Sequence, residues 1–112
     1  MEENVYFKSA PQLKHDVDKN TFNTHGNFYM FSQDVMDKIY EKLGTSSAQL
    51  RVLQVLIGTK PGFALTNKWL QDRTKLNKSN LHRTIVKLDE LHLITRDLEE
   101  NSITVNFKEL MK

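Results

Sequence analysis

The sequence contains no cysteine, and no stretch of it is apolar over the length of a membrane-spanning helix. Without cysteine, neither a disulfide framework nor a thiolate metal site can form, which disfavours a small secreted protein and fits a reducing cytoplasm. About 20 apolar residues are needed to cross a bilayer. Residues 1–20 also lack the apolar segment of a signal peptide. We therefore expect a cytoplasmic protein with no membrane role.

Catalytic motifs are also missing from the sequence. The four histidines fall in no metal-ligand spacing, and the phosphate-binding-loop, nucleophile-elbow and zinc-protease patterns do not occur. The adjacent carboxylates Asp89 and Glu90 would point in different directions on a helix. The sequence therefore predicts a binding protein without catalytic residues, bound metal or cofactor, rather than an enzyme.

Charge is distributed unevenly, although the net charge of the whole chain is only +2. Residues 1–44 hold five lysines against seven acids, a net of −2, whereas residues 58–88 hold seven basic residues against one acid, Asp72, a net of +6. Such a basic segment is typical of a surface that binds DNA. A solvated helix face rich in lysine would have the same composition.

Two parts of the chain differ in pattern. Residues 1–26 are mostly polar, contain Pro11 and show no sustained period, so they are predicted to form a flexible N-terminal arm. Within this arm, Val5-Tyr6-Phe7 either pair as a short strand or are disordered. The folded domain is predicted over residues 27–112, and its first element is a strand at 27–31, an apolar run too short for a helix.

Two helices are predicted after this strand. The first begins at Ser32 and ends at Gly44, where a left-handed glycine is expected. The second begins with Ser46 and Gln49, which have the spacing of a capping box, and ends at Gly58. It is the most hydrophobic helix of the chain and therefore the expected centre of the core.

A second pair of helices is predicted in the basic segment. Thr66 opens a short helix that carries Trp69, and Asn77 opens a longer one. We expect Trp69 to pack between these helices rather than to stack on nucleic-acid bases, because Leu70 follows it on the same helix. Apolar residues at helical spacing form the buried face of the longer helix: Leu81, Ile85, Leu88 and Leu91.

The remaining pattern is that of short strands. A turn at 59–62 precedes a possible strand at 63–65, and alternating residues at 95–98 and 103–107 predict a β-hairpin. The predicted order is β, α, α, β, α, α, β, β. The fold class is therefore mainly α with a small β-sheet, and its two helices, turn and hairpin have the layout of a winged helix-turn-helix.

The residues from Phe28 to Phe107 resemble the winged helix-turn-helix class, with the helix at 33–43 as an addition. Met36 and Tyr40 of this added helix serve either core packing or dimer contacts. His92 stands where many members of the class have glycine. Within the class, the similarity to small DNA-binding proteins of plasmids and phages is carried by the string FYMFSQDVMDKIYEKLGTSSAQLRVLQVLIGTKPGF followed by NKWLQDRTKLNKSNLHRTIVKLDEL.

The resemblance implies sequence-specific binding of double-stranded DNA by a protein of a mobile genetic element. Such proteins act as accessory factors at replication or transfer origins, a relaxosome accessory protein of conjugation being one example, or as transcriptional regulators. They bind as homodimers or in tandem, within nucleoprotein complexes. Chemistry on the DNA would then belong to another protein.

The longer helix of the basic segment is the predicted recognition helix. Asn80 can bond bidentately to adenine and Arg83 to guanine, whereas lysines more readily neutralise phosphates. His82 either touches a phosphate or base or borders the core. The predicted DNA-binding residues are Thr66, Asn67, Lys68, Lys78, Ser79, Asn80, His82, Arg83, Lys87 and Arg96.

The tip of the predicted hairpin is unusual for a surface that contacts DNA. Asp97, Glu99 and Glu100 would repel phosphates, and only Arg96 is basic. The tip is a solvated turn, reaches a minor groove through residues 101–102, or faces a protein. The competing hypothesis for the whole chain is therefore a protein–protein interaction module built on a winged-helix scaffold.

Overall fold

The computed structural model describes residues 11–15, 21–23, 29–45 and 47–112. It confirms the predicted class in its coarse form, a mixed α and β fold with a small sheet. None of the helices in the described ranges is long and apolar enough to cross a membrane. The described elements, in chain order, are β1 (Gln12–His15), β2 (Thr21–Asn23), β3 (Tyr29–Phe31), α1 (Gln33–Leu43), α2 (Ala48–Ile57), α3 (Asn67–Thr74), α4 (Lys78–Glu90), β4 (Ile94–Asp97), β5 (Ser102–Val105) and α5 (Phe107–Leu110).

The strands form two sheets. The larger one has the order β1-β5-β4, in which β4 and β5 are antiparallel and β1 runs parallel to β5. The antiparallel pair confirms the predicted hairpin. The smaller sheet pairs β2 with β3 in antiparallel register. Because β3 lies within 27–31, the predicted first strand of the domain is confirmed at residues 29–31, whereas 27 and 28 lie outside the described residues.

The prediction of a flexible arm over residues 1–26 is wrong for residues 12–15 and 21–23. Residues 21–23 form β2, which pairs with β3, and residues 12–15 form β1, in which the side chain of Leu13 is completely buried in the core. On the edge that faces away from β5, β1 is also held by backbone hydrogen bonds: Leu13 N donates to the Phe63 carbonyl at 3.0 Å. One apolar residue among polar neighbours has no period, so its partner could only be found in the tertiary structure. The proposed strand at 5–7 lies outside the described residues.

Side-chain caps fix where the four longer helices begin. Ser32 caps α1, Thr66 caps α3 and Asn77 caps α4, as predicted, each accepting a backbone N–H from the first turn. The cap of α2 is Ser47, whose Oγ accepts from Leu50 N at 3.0 Å, and not Ser46. The capping-box spacing fits only Ser46, but a serine lies at each of the two positions and either hydroxyl can cap a helix. Each such cap stabilises its helix by about 1 kcal/mol.

The helix α2 lies at the centre of the core, as its hydrophobicity predicted. Its residues Leu53, Leu56 and Ile57 are completely buried, and the helix packs against α1, α3 and α4. The added helix α1 is part of this core. Met36 packs against it, which favours core packing over dimer contacts for that residue, whereas Tyr40 keeps 38% of its surface exposed.

Two predicted strand segments have other structures. Residues 63–65 do not form a strand, since only Ala64 makes an isolated bridge, to Gln12. The place beside β5 is taken by β1. Phe107, predicted as the last residue of the hairpin, instead begins helix α5 and is almost completely buried. The alternation of the strand ends at Val105, and Asn106 turns the chain back towards the core.

The exit of α4 corrects the prediction for Leu91, which is 40% exposed instead of buried. Leu91 caps the helix, and His92 follows with a φ of 63°, a left-handed conformation. His92 N donates to the Asp89 carbonyl and Leu93 N to the Leu88 carbonyl. This pair of bonds is a Schellman motif, in which glycine is preferred at the position of His92. The helix α4 therefore ends in the way that is usual with glycine at this position, but here a histidine adopts the strained left-handed backbone.

The end of α1 also differs from the predicted left-handed stop, because Gly44 has a φ of 80° but an extended ψ of −171°.

We expect His92→Gly to stabilise the protein by about 0.5–1 kcal/mol. The left-handed conformation costs a non-glycine residue about 1–2 kcal/mol, and the greater freedom of glycine in the unfolded chain offsets part of the gain. The midpoint of urea unfolding measures the effect. His92→Ala is the control, because it removes the same imidazole and keeps the strain. If His92→Gly is no more stable than His92→Ala, the left-handed backbone at position 92 does not strain the protein.

His15 fixes the end of β1 against two helices. Its Nε2 lies 3.1 Å from the Leu56 carbonyl, and its ring meets the edge of Phe107 with ring centroids 5.5 Å apart. Burial lowers the pKa of His15 below its ordinary value of 6.5, and the hydrogen bond to Leu56 only partly offsets this. The folded protein therefore favours the neutral ring.

This burial predicts a loss of stability in mild acid. Because the pKa of His15 is lower in the folded than in the unfolded chain, the unfolded chain binds more protons once the pH falls below 6.5. The contribution of neutral His15 to stability is therefore present above pH 6.5 and decreases as the pH falls towards the pKa that His15 has in the folded protein. Urea unfolding at pH 7.5 and 5.5 measures the decrease. In His15→Gln, which keeps a donor towards Leu56, the decrease should be smaller, and an unchanged decrease would exclude His15 as its source.

Candidate nucleic-acid interface

The helices α3 and α4 are joined by the turn 75–77, in which Lys75 has a left-handed φ of 62°. Each helix is anchored by its inner face, since Leu70 of α3 and Leu81 and Ile85 of α4 are buried in the core. The spacing of these residues fixes which side chains point outward. The outer face of α4 is therefore determined by packing on the opposite side.

Five of the predicted contact residues are exposed along α4: Lys78, Ser79, Asn80, Arg83 and Lys87. We refer to them as the α4 face. The first turn of the helix contains no acidic residue. Ser79, Asn80, Arg83 and Lys87 lie on one side of the helix by its 3.6-residue period, and Lys78 is exposed at the N-terminal end, which carries a partial positive charge. This combination favours an anionic, hydrogen-bonding partner.

Hydrogen bonds within the helix orient the polar side chains of the α4 face. Asn77 Oδ1 accepts from Asn80 N at 2.8 Å, which fixes the first turn. Arg83 Nη2 donates to Asn80 Oδ1 at 3.1 Å. The guanidinium has further N–H donors beyond this bond. Asn80 and Arg83 are therefore held side by side on the exposed surface of α4.

His82 lies beside the α4 face rather than on it. It is half-buried and borders an open groove of about 480 Å³ together with Gln49, Arg83 and Lys87. Desolvation lowers the pKa of His82, and the positive charge of Arg96 lowers it further. The ring is therefore mainly neutral at pH 7. His82 thus adds a neutral polar group, and no full positive charge, to the surface beside the α4 face.

The start of α3 carries three of the predicted contact residues, Thr66, Asn67 and Lys68. Thr66 Oγ1 accepts from Trp69 N, so this hydroxyl is used as a helix cap. Asn67 is half-buried, and Lys68 is exposed. Trp69 makes its ring contact with Phe63, at 4.7 Å between centroids, rather than with an aromatic partner on α4. Of the predicted residues on α3, only Lys68 presents an exposed charge.

The hairpin β4–β5 is fixed rigidly to α4. Arg96 Nε lies 3.0 Å from Asp89 Oδ2, and both side chains are largely shielded from solvent. Asn106 Nδ2 donates to the His92 carbonyl and to Thr95 Oγ1, both at 2.9 Å. Arg96 was predicted as a DNA contact. Its pairing with Asp89 compensates much of its charge within the protein.

The acidic tip of the hairpin is tied to β1. Glu100 Oε1 forms an ion pair with Lys14 Nζ at 2.6 Å, and Glu100 N donates to Asp97 Oδ1 at 2.9 Å. Leu98, between these residues, keeps 79% of its surface exposed. The tip is thus an ordered turn that combines acidic side chains with an exposed apolar one.

Sequence reasoning missed a second basic site, a cleft of about 300 Å³ between the C-terminal half of α2 and α3. Arg51 Nη1 donates to the Thr74 carbonyl at 3.0 Å, and the Arg73 guanidinium lies 5.4 Å from the Trp69 ring centroid. The two arginines are 22 positions apart in the sequence. No local pattern pairs them. We call this site the arginine cleft; its lining residues are Arg51, Gln54, Val55, Gly58, Thr59 and Arg73.

No protein-family model, curated protein sequence or solved structure matches this chain. Support for a function of this chain therefore comes from its own residues, their geometry and their charge.

Proposed function

We propose that this chain is a winged helix-turn-helix protein that binds double-stranded DNA at specific sequences, with α4 as the recognition helix and the hairpin β4–β5 as the wing. The observation that carries the proposal is the α4 face. Arg83, Lys87, a hydroxyl and an amide occupy one side of a capped helix whose other side is buried, and Lys78 adds a third exposed positive charge in its first turn. A helix of this kind fits the major groove of DNA, which is wide enough to admit it.

The two types of side chain on this face would have different roles. Arg83 and Asn80 have the planar donor geometry that reads guanine and adenine edges, and their mutual hydrogen bond orients both. Lys78 and Lys87 carry flexible point charges suited to phosphates. Lys68, at the start of α3, would reach the phosphate backbone beside the groove. The residue types therefore support both sequence readout and general affinity.

For the cellular role, the support is the resemblance of the sequence to small DNA-binding proteins of plasmids and phages. We propose an accessory factor at a replication or transfer origin of a plasmid or phage, or a transcriptional regulator, binding DNA as a dimer or in tandem. Such a protein positions DNA and leaves chemistry to a partner. Where the selected DNA site falls, beside a promoter or within an origin, decides between these roles.

The proposal is tested by selecting duplexes bound by the full chain from a random library. Affinity is then measured at two salt concentrations for the selected duplex and a scrambled duplex. A specific DNA-binding protein should prefer the selected site by about 10³-fold or more, with affinity that falls as salt increases. Equal and weak binding of both duplexes would contradict sequence-specific DNA binding.

A second candidate function is that of a protein–protein interaction module, and the tip of the wing favours it. Leu98 is 79% exposed between acidic side chains, which would repel phosphates. In such a module, substitutions in the wing would abolish partner binding while substitutions on the α4 face would not. In the DNA-binding protein, the order of effects on DNA affinity is the reverse.

A further inference from the structure

Two charged surfaces have no role in the proposed contact with DNA. One is the wing tip, which we define as Asp97, Leu98, Glu99 and Glu100. The other is the arginine cleft between α2 and α3. The first is acidic with one exposed apolar residue, and the second is basic with an apolar residue, Val55, in its lining. Their charges and apolar groups are therefore complementary.

The wing tip holds Leu98 in an outward position. Within the described part of the chain, Leu98 is the most exposed of the large apolar side chains. Hydrogen bonds fix the turn on both sides of it, since Glu100 N donates to Asp97 Oδ1 and Gln12 N donates to the Asn101 carbonyl, each at 2.9 Å. An apolar side chain on an ordered support loses little conformational entropy when it is covered by a partner.

The arginine cleft is prepared for carboxylates. The guanidinium of Arg51 is oriented by its bond to the Thr74 carbonyl, and that of Arg73 by the Trp69 ring. Both side chains are exposed, and a guanidinium has five N–H donors in a fixed fork. Carboxylates can therefore bind at the rim of the cleft while an apolar side chain covers Val55.

We propose that the wing tip of one copy of this chain docks in the arginine cleft of a second copy. Leu98 packs over Val55, and Glu99 pairs with the two arginines. Because the wing tip and the cleft are different surfaces, the contact is heterologous and each copy keeps one free surface of each kind. The contact therefore links copies in a row instead of closing a symmetric dimer.

This contact goes beyond the proposed function, because it forms without DNA. It is small, and small contacts of this kind are weak and transient. Copies bound at neighbouring sites on one duplex would meet at a much higher effective concentration. The same contact would then produce cooperative binding in tandem.

The test is sedimentation equilibrium of the full chain without DNA, at low salt. The protein concentration is raised to about several hundred micromolar, the range in which weak contacts form. The wild-type chain should show an average mass that rises with concentration beyond that of a dimer. Two variants should each stay monomeric: Leu98→Arg, which disables the wing tip, and Arg51→Glu, which disables the cleft.

The equimolar mixture of these variants is the decisive sample. The intact wing tip of Arg51→Glu meets the intact cleft of Leu98→Arg, so the mixture should form a one-to-one dimer and nothing larger. Leu91→Arg and Lys42→Glu are matched controls, because they change an exposed leucine and an exposed basic residue elsewhere, and both should associate like the wild type.

Several results would overturn the proposal. They are a monomeric wild type, association of either variant at the wild-type level, a mixture that stays monomeric, or loss of association in the controls. A variant that fails to melt cooperatively is replaced by Glu99→Arg for the wing tip or Arg73→Glu for the cleft. If Arg51→Glu instead lowers the salt dependence of binding to a duplex with a single site, the cleft contacts phosphate and the proposal is wrong. If only the proposed DNA binding is wrong, the result of sedimentation equilibrium without DNA is unaffected.

Discussion

Leu13→Ala should destabilise the protein by about 2–5 kcal/mol, the range for removing a fully buried leucine side chain. Leu13 is the one residue of β1 that is completely buried in the core. The strand lies between β5 and the loop after α2, where Gly62 N donates to the Leu13 carbonyl at 2.6 Å and Leu65 N to the Pro11 carbonyl at 2.8 Å. The cavity would therefore form where two parts of the fold meet.

Thermal or urea unfolding of the full chain measures this effect, and a loss of this size lowers the midpoint of melting by about 10–20 °C. Lys14→Ala is the matched control. It changes the next residue of the same strand, which faces solvent and forms only an exposed ion pair with Glu100. Exposed pairs contribute about 0–1 kcal/mol. If Leu13→Ala is as mild as Lys14→Ala, residues 12–15 are the flexible arm that the sequence pattern predicts.

Arg83→Ala should weaken binding to the selected DNA site by about 1–3 kcal/mol, which is about 5- to 150-fold in affinity. Arg83 is the most suitable base-reading side chain of the α4 face, because its guanidinium is exposed and is oriented by Asn80. Its loss should reduce the preference over the scrambled duplex as well. Affinity for the scrambled duplex should change much less.

Lys87→Ala provides the contrast to this result. A lysine that contacts phosphate contributes to all sequences alike, so its loss should weaken selected and scrambled duplexes by a similar factor and reduce the salt dependence by about one counterion. Lys108→Ala, on α5, removes the same charge from another exposed position and should leave both affinities unchanged. If Arg83→Ala and Lys87→Ala both bind like the wild type, α4 is not the recognition helix.

Helix positions were largely determined by the sequence. Helical periodicity identified which faces of α2 and α4 are buried, and Ser32, Thr66 and Asn77 marked helix starts because a cap bonds only to its own first turn. The alternation of residues also identified the hairpin. These signals act over a few residues, so they can be read without knowing the tertiary structure.

Only part of the candidate site could be predicted from such local sequence signals. The exposed residues of α4 follow from its buried side, and five of those predicted as contacts are exposed: Lys78, Ser79, Asn80, Arg83 and Lys87. Contacts across the chain changed the other predictions. Arg96 lies beside Asp89, so its charge is paired, and Thr66 uses its hydroxyl as a cap.

The sequence by itself determined the capped helices, the apolar faces that they bury and the basic side of α4. Only the tertiary structure decided which strand completes the sheet, how the hairpin β4–β5 is fixed and where the arginine cleft forms. The parallel pairing of β1 with β5 brings together residues about 90 positions apart, and Arg51 meets Arg73 across two helices. Such contacts depend on the packing of the whole core, since the residues between them carry no pattern that records which distant segments will meet.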